Sequence, residues 1–148
     1  MCAVRLSTGM RNGMVGTQGI TEIFNGGFMK IYTGGQPVSA DYAETGTLLA
    51  TIATTSGTGV NDGLVFGTAG NGAIPKSASV WSGVVGVAGV AGWFRLYGTA
   101  GTTGSSATEN RMDGNIGVSG SDMVLANTSL TLNSTLTIDT AMFTQPAS

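Results

Sequence analysis

The sequence predicts an all-β fold: a single antiparallel β-sandwich, jelly-roll-like, preceded by a short N-terminal helical segment. Three observations predict it. Short β-prone runs recur from residue 28 onward, separated by Gly, Asn, Asp and Ser. Within several runs the apolar residues alternate, as they do on a strand with one buried face. The composition is 41% hydrophobic but only 9% charged, against roughly 25% in ordinary soluble domains, with Thr, Ser and 25 glycines in place of the missing charge. Burial and turns are therefore both supplied. Disorder, which needs high charge and low hydrophobicity, is excluded. At 148 residues, the chain suits one domain with a full core better than two.

The organisation expected is a docking segment over residues 1–27 and a sandwich over residues 28–148. In the first, Ser7 or Thr8 can cap a helix carrying Met10 and Met14 at i, i+4. A second helical turn fits Ile20, Ile23 and Phe24, and Gly26-Gly27 ends it. Gly9, Gly13, Gly16 and Gly19 weaken both pieces. Such a segment gains most by docking, so Met10, Met14, Ile20, Ile23 and Phe24 are the candidate partner contacts.

The strand candidates follow in order. FMKIYT lies between glycine pairs, and TLLATIAT puts Leu48, Ala50 and Ile52 on one face. GLVFGTA brings Leu64 and Phe66 together, and SVWSG follows Pro75. GWFRLYGT sets Phe94 and Leu96 opposite Trp93, Arg95 and Tyr97, and NRMDGNIGVSG is a further candidate. In the last segment Leu130, Leu132, Leu136 and Ile138 share parity. Either a hairpin with an odd loop at 133–135 or one strand, switching sheets near Asn133-Ser134, keeps that parity. The expected core is Leu48, Ile52, Leu64, Phe66, Phe94, Leu96, Leu130, Leu132, Leu136 and Ile138. Glycine at 83, 86, 89 and 92 marks a loop or strand that another backbone approaches closely.

Chemistry is mainly excluded. There is one cysteine, Cys2, and no histidine, which removes a Cys/His zinc site, a Ser-His-Asp or Cys-His unit and an imidazole switch. The six cations, Arg5, Arg11, Lys30, Lys76, Arg95 and Arg111, are scattered, without the footprint a nucleic-acid binder needs. The segment after Met1 lacks a signal-peptide pattern, and the longest apolar run, residues 84–93, is too short to span a bilayer. Lys76-Ser77 follows Pro75 rather than the glycine of a phosphate loop. GTGVNDG has one residue too many for a dinucleotide fingerprint and reads as a turn, as does Asp113-Gly114-Asn115 in preference to a calcium loop. The two Asn-x-Ser/Thr matches at Asn127 and Asn133 are expected by chance in such a sequence. Trp81, Trp93, Phe94 and Tyr97 could stack a sugar, but fit a core or an oligomer seam better. The expectation is a soluble, non-enzymatic protein with no cofactor, metal, nucleic-acid or membrane partner.

The segment order resembles a family of small virion structural proteins of tailed bacteriophages. The residues that carry this are LSTGMRNGM, the stretch from Ile23 to Ile52, GLVFGTAGNGAIPK, WSGV, AGWFRLYG, RMDGNIGVSGSDM and TLTIDTAMFTQP. The resemblance covers nearly the whole chain and implies a particle component; it brings no catalytic residues with it. The function expected is a capsid decoration, or cement, protein that clamps neighbouring shell subunits, with Trp93 added to the candidate contacts. Its partners would be the major capsid protein or another virion protein and copies of itself, as a trimer, in a virion assembled in the host cytoplasm. A neck, tail or baseplate role is the alternative within the virion. A host-adhesion module binding carbohydrate through Trp81 and Trp93 is the alternative of another class.

Overall fold

The computed structural model describes residues 4–54 and 63–144. Among these residues two short helices and eleven strands follow one another. β1 (Arg5–Leu6), α1 (Thr8–Val15) and α2 (Ile20–Phe24) lead into β2 (Phe28–Thr33) and β3 (Leu48–Thr54). β4 (Ala73–Pro75), β5 (Trp81–Val84), β6 (Gly89–Tyr97) and β7 (Arg111–Gly117) follow, then β8 (Met123–Val124), β9 (Ser129–Leu130), β10 (Thr135–Ile138) and β11 (Met142–Thr144). One large sheet runs β1-β7-β6-β2-β3-β5-β10, with β8 beside β7 and β9 beside β6; β4 and β11 form a separate ribbon. Every pairing is antiparallel except β7 with β8. The fold is all-β and sandwich-like, as the sequence predicts. Among the described residues no helix is long and apolar enough to cross a membrane.

One face of the sheet builds the core. Met29 and Ile31 of β2 lie beside Leu96 and Phe94 of β6 and beside Ile52 and Ala50 of β3, and all six are buried. Trp81, Leu130 and Ile138 join the same cluster. So do Met10, Ile23 and Phe24 from the helices. Residues 4–27 are thus packed into the same core as the strands, rather than lying on its outside. Ser7 caps α1 by accepting from the Met10 N–H at 3.1 Å, donates to the Glu109 carbonyl at 2.7 Å, and accepts from the Arg111 N–H at 2.9 Å. The glycine that weakens α1 as an isolated helix is needed for this contact: a Cβ on Gly9 would lie 2.3 Å from the Thr108 carbonyl oxygen.

Two expected core residues are corrected. Leu48 is 38% exposed. Between Ile31↔Ala50 and Tyr32↔Leu48 the ladder skips one residue of β3. That bulge turns Leu49, which is fully buried, inward in place of Leu48. Leu132 is 50% exposed. It sits in a turn closed by the Ser134 N–H on the Thr131 carbonyl, with Asn133 at φ 65°. No hairpin forms there. The chain changes partner instead, β9 pairing with β6 and β10 with β5. Leu136 is partly buried, and the other expected core residues are buried. The glycine run behaves as expected at its two ends, since a Cβ on Gly83 or Gly92 would lie 2.0 Å from the carbonyl oxygen of Thr51 or Gly34, whereas Gly89 faces the Leu49 and Thr33 side chains and Gly86 has no backbone closer than 4.0 Å. The GTGVNDG turn falls on residues outside the described ones except Gly63, which has φ +77°.

Candidate functional site

The second face of the sheet is unlike the first. Cross-strand neighbours on β2 and β6 are Phe28↔Tyr97, Lys30↔Arg95 and Tyr32↔Trp93, and β7 adds Asp113 beside Arg95. The outer two pairs stack, with ring centroids 4.9 Å apart for Phe28 and Tyr97 and 4.6 Å for Tyr32 and Trp93. Between them Arg95 is fully buried. Its Nε and Nη2 donate to the two Asp113 oxygens at 2.6 and 2.8 Å, a fork matched to a carboxylate. Nη1 donates to Glu44 at 3.1 Å and to the Tyr42 carbonyl at 3.0 Å. Both carbonyl and carboxylate come from the loop between β2 and β3, which covers this face. Asp113 is thus mid-strand, not in a turn, and both its oxygens are engaged by a guanidinium, leaving no calcium loop.

The electrostatics follow from this packing. Burial pushes the Asp113 carboxyl up from its usual range, while the Arg95 bonds pull it back. Burial also works against the charge of Glu44, but the Gly104 N–H at 2.9 Å, the Tyr97 hydroxyl at 2.6 Å and Arg95 outweigh it and hold Glu44 below its usual range. Tyr97 is driven upward by burial and by donating to Glu44. Arg111, also fully buried, donates to the Gly104 and Thr102 carbonyls at 2.6 and 2.7 Å and meets Glu109 at 3.3 Å.

The six candidate contacts separate into two groups. Met10, Ile23, Phe24 and Trp93 are at most 3% exposed within the chain itself and have almost no surface to offer a partner. Their apolar bulk fills the core, or in the case of Trp93 the covered face. Met14 and Ile20 are only partly buried. They line an apolar groove of about 390 Å³ together with Ile74 and Phe143. A second, larger cleft of about 920 Å³ shares Phe143 with this groove and has Phe94, Leu125, Leu136 and Ile138 among its other walls. Trp81, Phe94 and Tyr97 are buried as well, so with Trp93 these four aromatics present no exposed face on which a sugar could stack. Sequence reasoning missed Ile74 and Phe143. It also placed Arg95 correctly on a strand face, but did not foresee a cover over that face. A visible signal was Arg95 flanked at i±2 by Trp93 and Tyr97, since a cation between two large rings on one strand face suits burial with a carboxylate.

Comparison of the chain with protein-family models, with curated proteins and with solved structures finds no match.

Proposed function

We propose that this chain is a structural subunit of a bacteriophage particle, a decoration protein that packs against neighbouring shell subunits and against copies of itself, a trimer being the expected unit. The observation that supports this most is where the charge goes. Arg95, Arg111 and Asp113 are buried, and the two guanidiniums also pair with the partly exposed Glu44 and Glu109. Lys76 donates to the Ser77 and Ser79 carbonyls, Arg5 to the Pro37 carbonyl, and Lys30 lies over the Phe28 and Tyr97 rings. The surface left is hydroxyl-rich and apolar, with Val80, Val84, Val87, Val90, Leu132 and Met142 all exposed. Such a surface associates by burying apolar area at roughly 25 cal/mol per Å², before the costs of association, rather than by ion pairing. It has few long charged side chains to immobilise, which suits an interface repeated throughout a symmetric shell.

The groove beside β11 is the part of the expected docking region that remains open. Ile20→Asp with Met14→Glu should place charge in it at two partly buried positions on the edge of the core, so folding of the variant is checked first. Purified variant and wild-type protein would be added to undecorated particles, and bound copies counted. Folded variant that fails to bind, with wild type bound in numbers matching the shell lattice, supports the reading. Normal binding by the variant removes the groove from the mechanism. Wild type bound in only a few copies per particle moves the protein to the neck or tail.

A further inference from the structure

We propose that residues 41–46 form an acid-released strap over the aromatic and guanidinium face of β2 and β6, with Asp41 and Glu44 as its latches. The strap is held almost entirely by polar contacts. Tyr42, Ala43 and Thr45 are exposed, so no apolar side chain of the segment anchors it. Its flanks are fixed: Ala40 is fully buried on one side, and on the other Thr33 and Thr47 exchange bonds of 3.0 and 2.8 Å. Between these anchors Asp41 accepts from the Thr8 N–H at 2.7 Å and the Thr8 hydroxyl at 2.6 Å. Glu44 accepts from Arg95, from the Tyr97 hydroxyl and from the Gly104 N–H. The Thr45 carbonyl accepts from the Trp93 indole N–H at 3.1 Å.

An ionised carboxylate only accepts hydrogen bonds, and protonation turns one of its oxygens into a donor facing donors. Glu44 faces Arg95 and Tyr97 on β6, Tyr32 on β2 and Asp113 on β7. Asp41 faces Thr8 and Arg11 on α1 and Arg111 on β7. In both, burial opposes the charge but the donors prevail and hold the group below its usual range. The carboxylates' share of the hold is therefore complete above the ordinary carboxylate values of about 4 and is lost as pH falls through the lowered ones, leaving only neutral acceptors and donors such as the Tyr42 and Asp41 carbonyls and the Ala43 N–H to hold the strap. Asp113 shifts the other way. Losing its charge removes the fork that holds Arg95 between β6 and β7 and so weakens the sheet itself, an effect read at both indoles, whereas release of the strap is read at Trp93 alone.

The two tryptophans separate strap opening from unfolding. Trp93 donates to the strap, and Trp81 donates to the Val65 carbonyl in the core. Indole N–H exchange with deuterium, followed by NMR at neutral pH, should be about tenfold or more faster at Trp93 in Glu44→Gln than in wild type, with Trp81 unchanged. Asp41→Asn should act in the same direction. An unchanged Trp93, or equal acceleration at both indoles, overturns the strap. Wild type offers the same test without a variant. On acidification the Trp93 indole resonance should move before the Trp81 resonance, and coincident movement means that no separate strap exists. The inference concerns the free protein and stands independently of the particle reading.

Discussion

At the residue scale, the side chains that matter most are those whose loss leaves something buried and unpaired. Ser7 is one. Replacing it with Ala orphans two buried N–H donors, of Met10 and Arg111, and should cost about 2–3 kcal/mol, read as a lowered urea midpoint. Asp113→Ala strands a fully buried guanidinium and should cost about 3–5 kcal/mol by the same measurement. Phe94, 4% exposed, should cost a similar amount when cut to Ala. Leu132→Ala, in an exposed turn, should change stability by no more than about 0.5 kcal/mol. The contrast between Phe94 and Leu132 is informative, because both were expected in the core from alternation alone. Alternation states which residues share a face. It cannot state that Asn133 takes a left-handed conformation and carries Leu132 off the sheet.

At the element scale, long uniform runs were legible and interruptions were not. FMKIYT became β2 residue for residue, and the Ser7 cap and the glycine stop at Gly26 stand where their chemistry put them. The bulge in β3 was not legible, since an extra residue in a ladder is decided by the partner strand. Nor was the fate of the helical segment. Its apolar residues were read correctly as needing cover, but the cover is the chain's own sheet rather than a partner. Deleting residues 1–19 should accordingly abolish folding, since it removes β1 from β7, the Ser7 bonds and Met10 from the core. Loss of the far-ultraviolet strand signal and of dispersed amide resonances would show it; a folded truncated domain would restore the docking-arm reading. The candidate site was half legible: Met14 and Ile20 were found, whereas Ile74 and Phe143 reach the same groove through β4 and β11, whose pairing no local pattern signals.

At the scale of the whole molecule, the internal pairing of charge sets how the protein should respond to salt. Few ion pairs remain for any interface, and exposed ones contribute only about 0–1 kcal/mol each. Self-association and particle attachment should therefore survive about 1 M sodium chloride, where the Debye length is near 3 Å, and strengthen in sulfate. Sedimentation across a salt series reads this directly. Dissociation between about 0.1 and 1 M would place the remaining exposed charges at the seam.

The Ser7–Arg111 bond, spanning 104 positions, also sets a clock. At the usual synthesis rate of about 5–20 residues per second, Ser7 waits roughly 5–20 s for its partner to be made. Until β7 exists, α1 has no cap contact with the sheet and Met10 no finished core to enter. Nascent chains halted before Arg111 should thus stay open to protease along their whole length, and chains halted beyond Thr144 should not. The fold therefore closes late, only once β7 has been made and can meet β1 and α1.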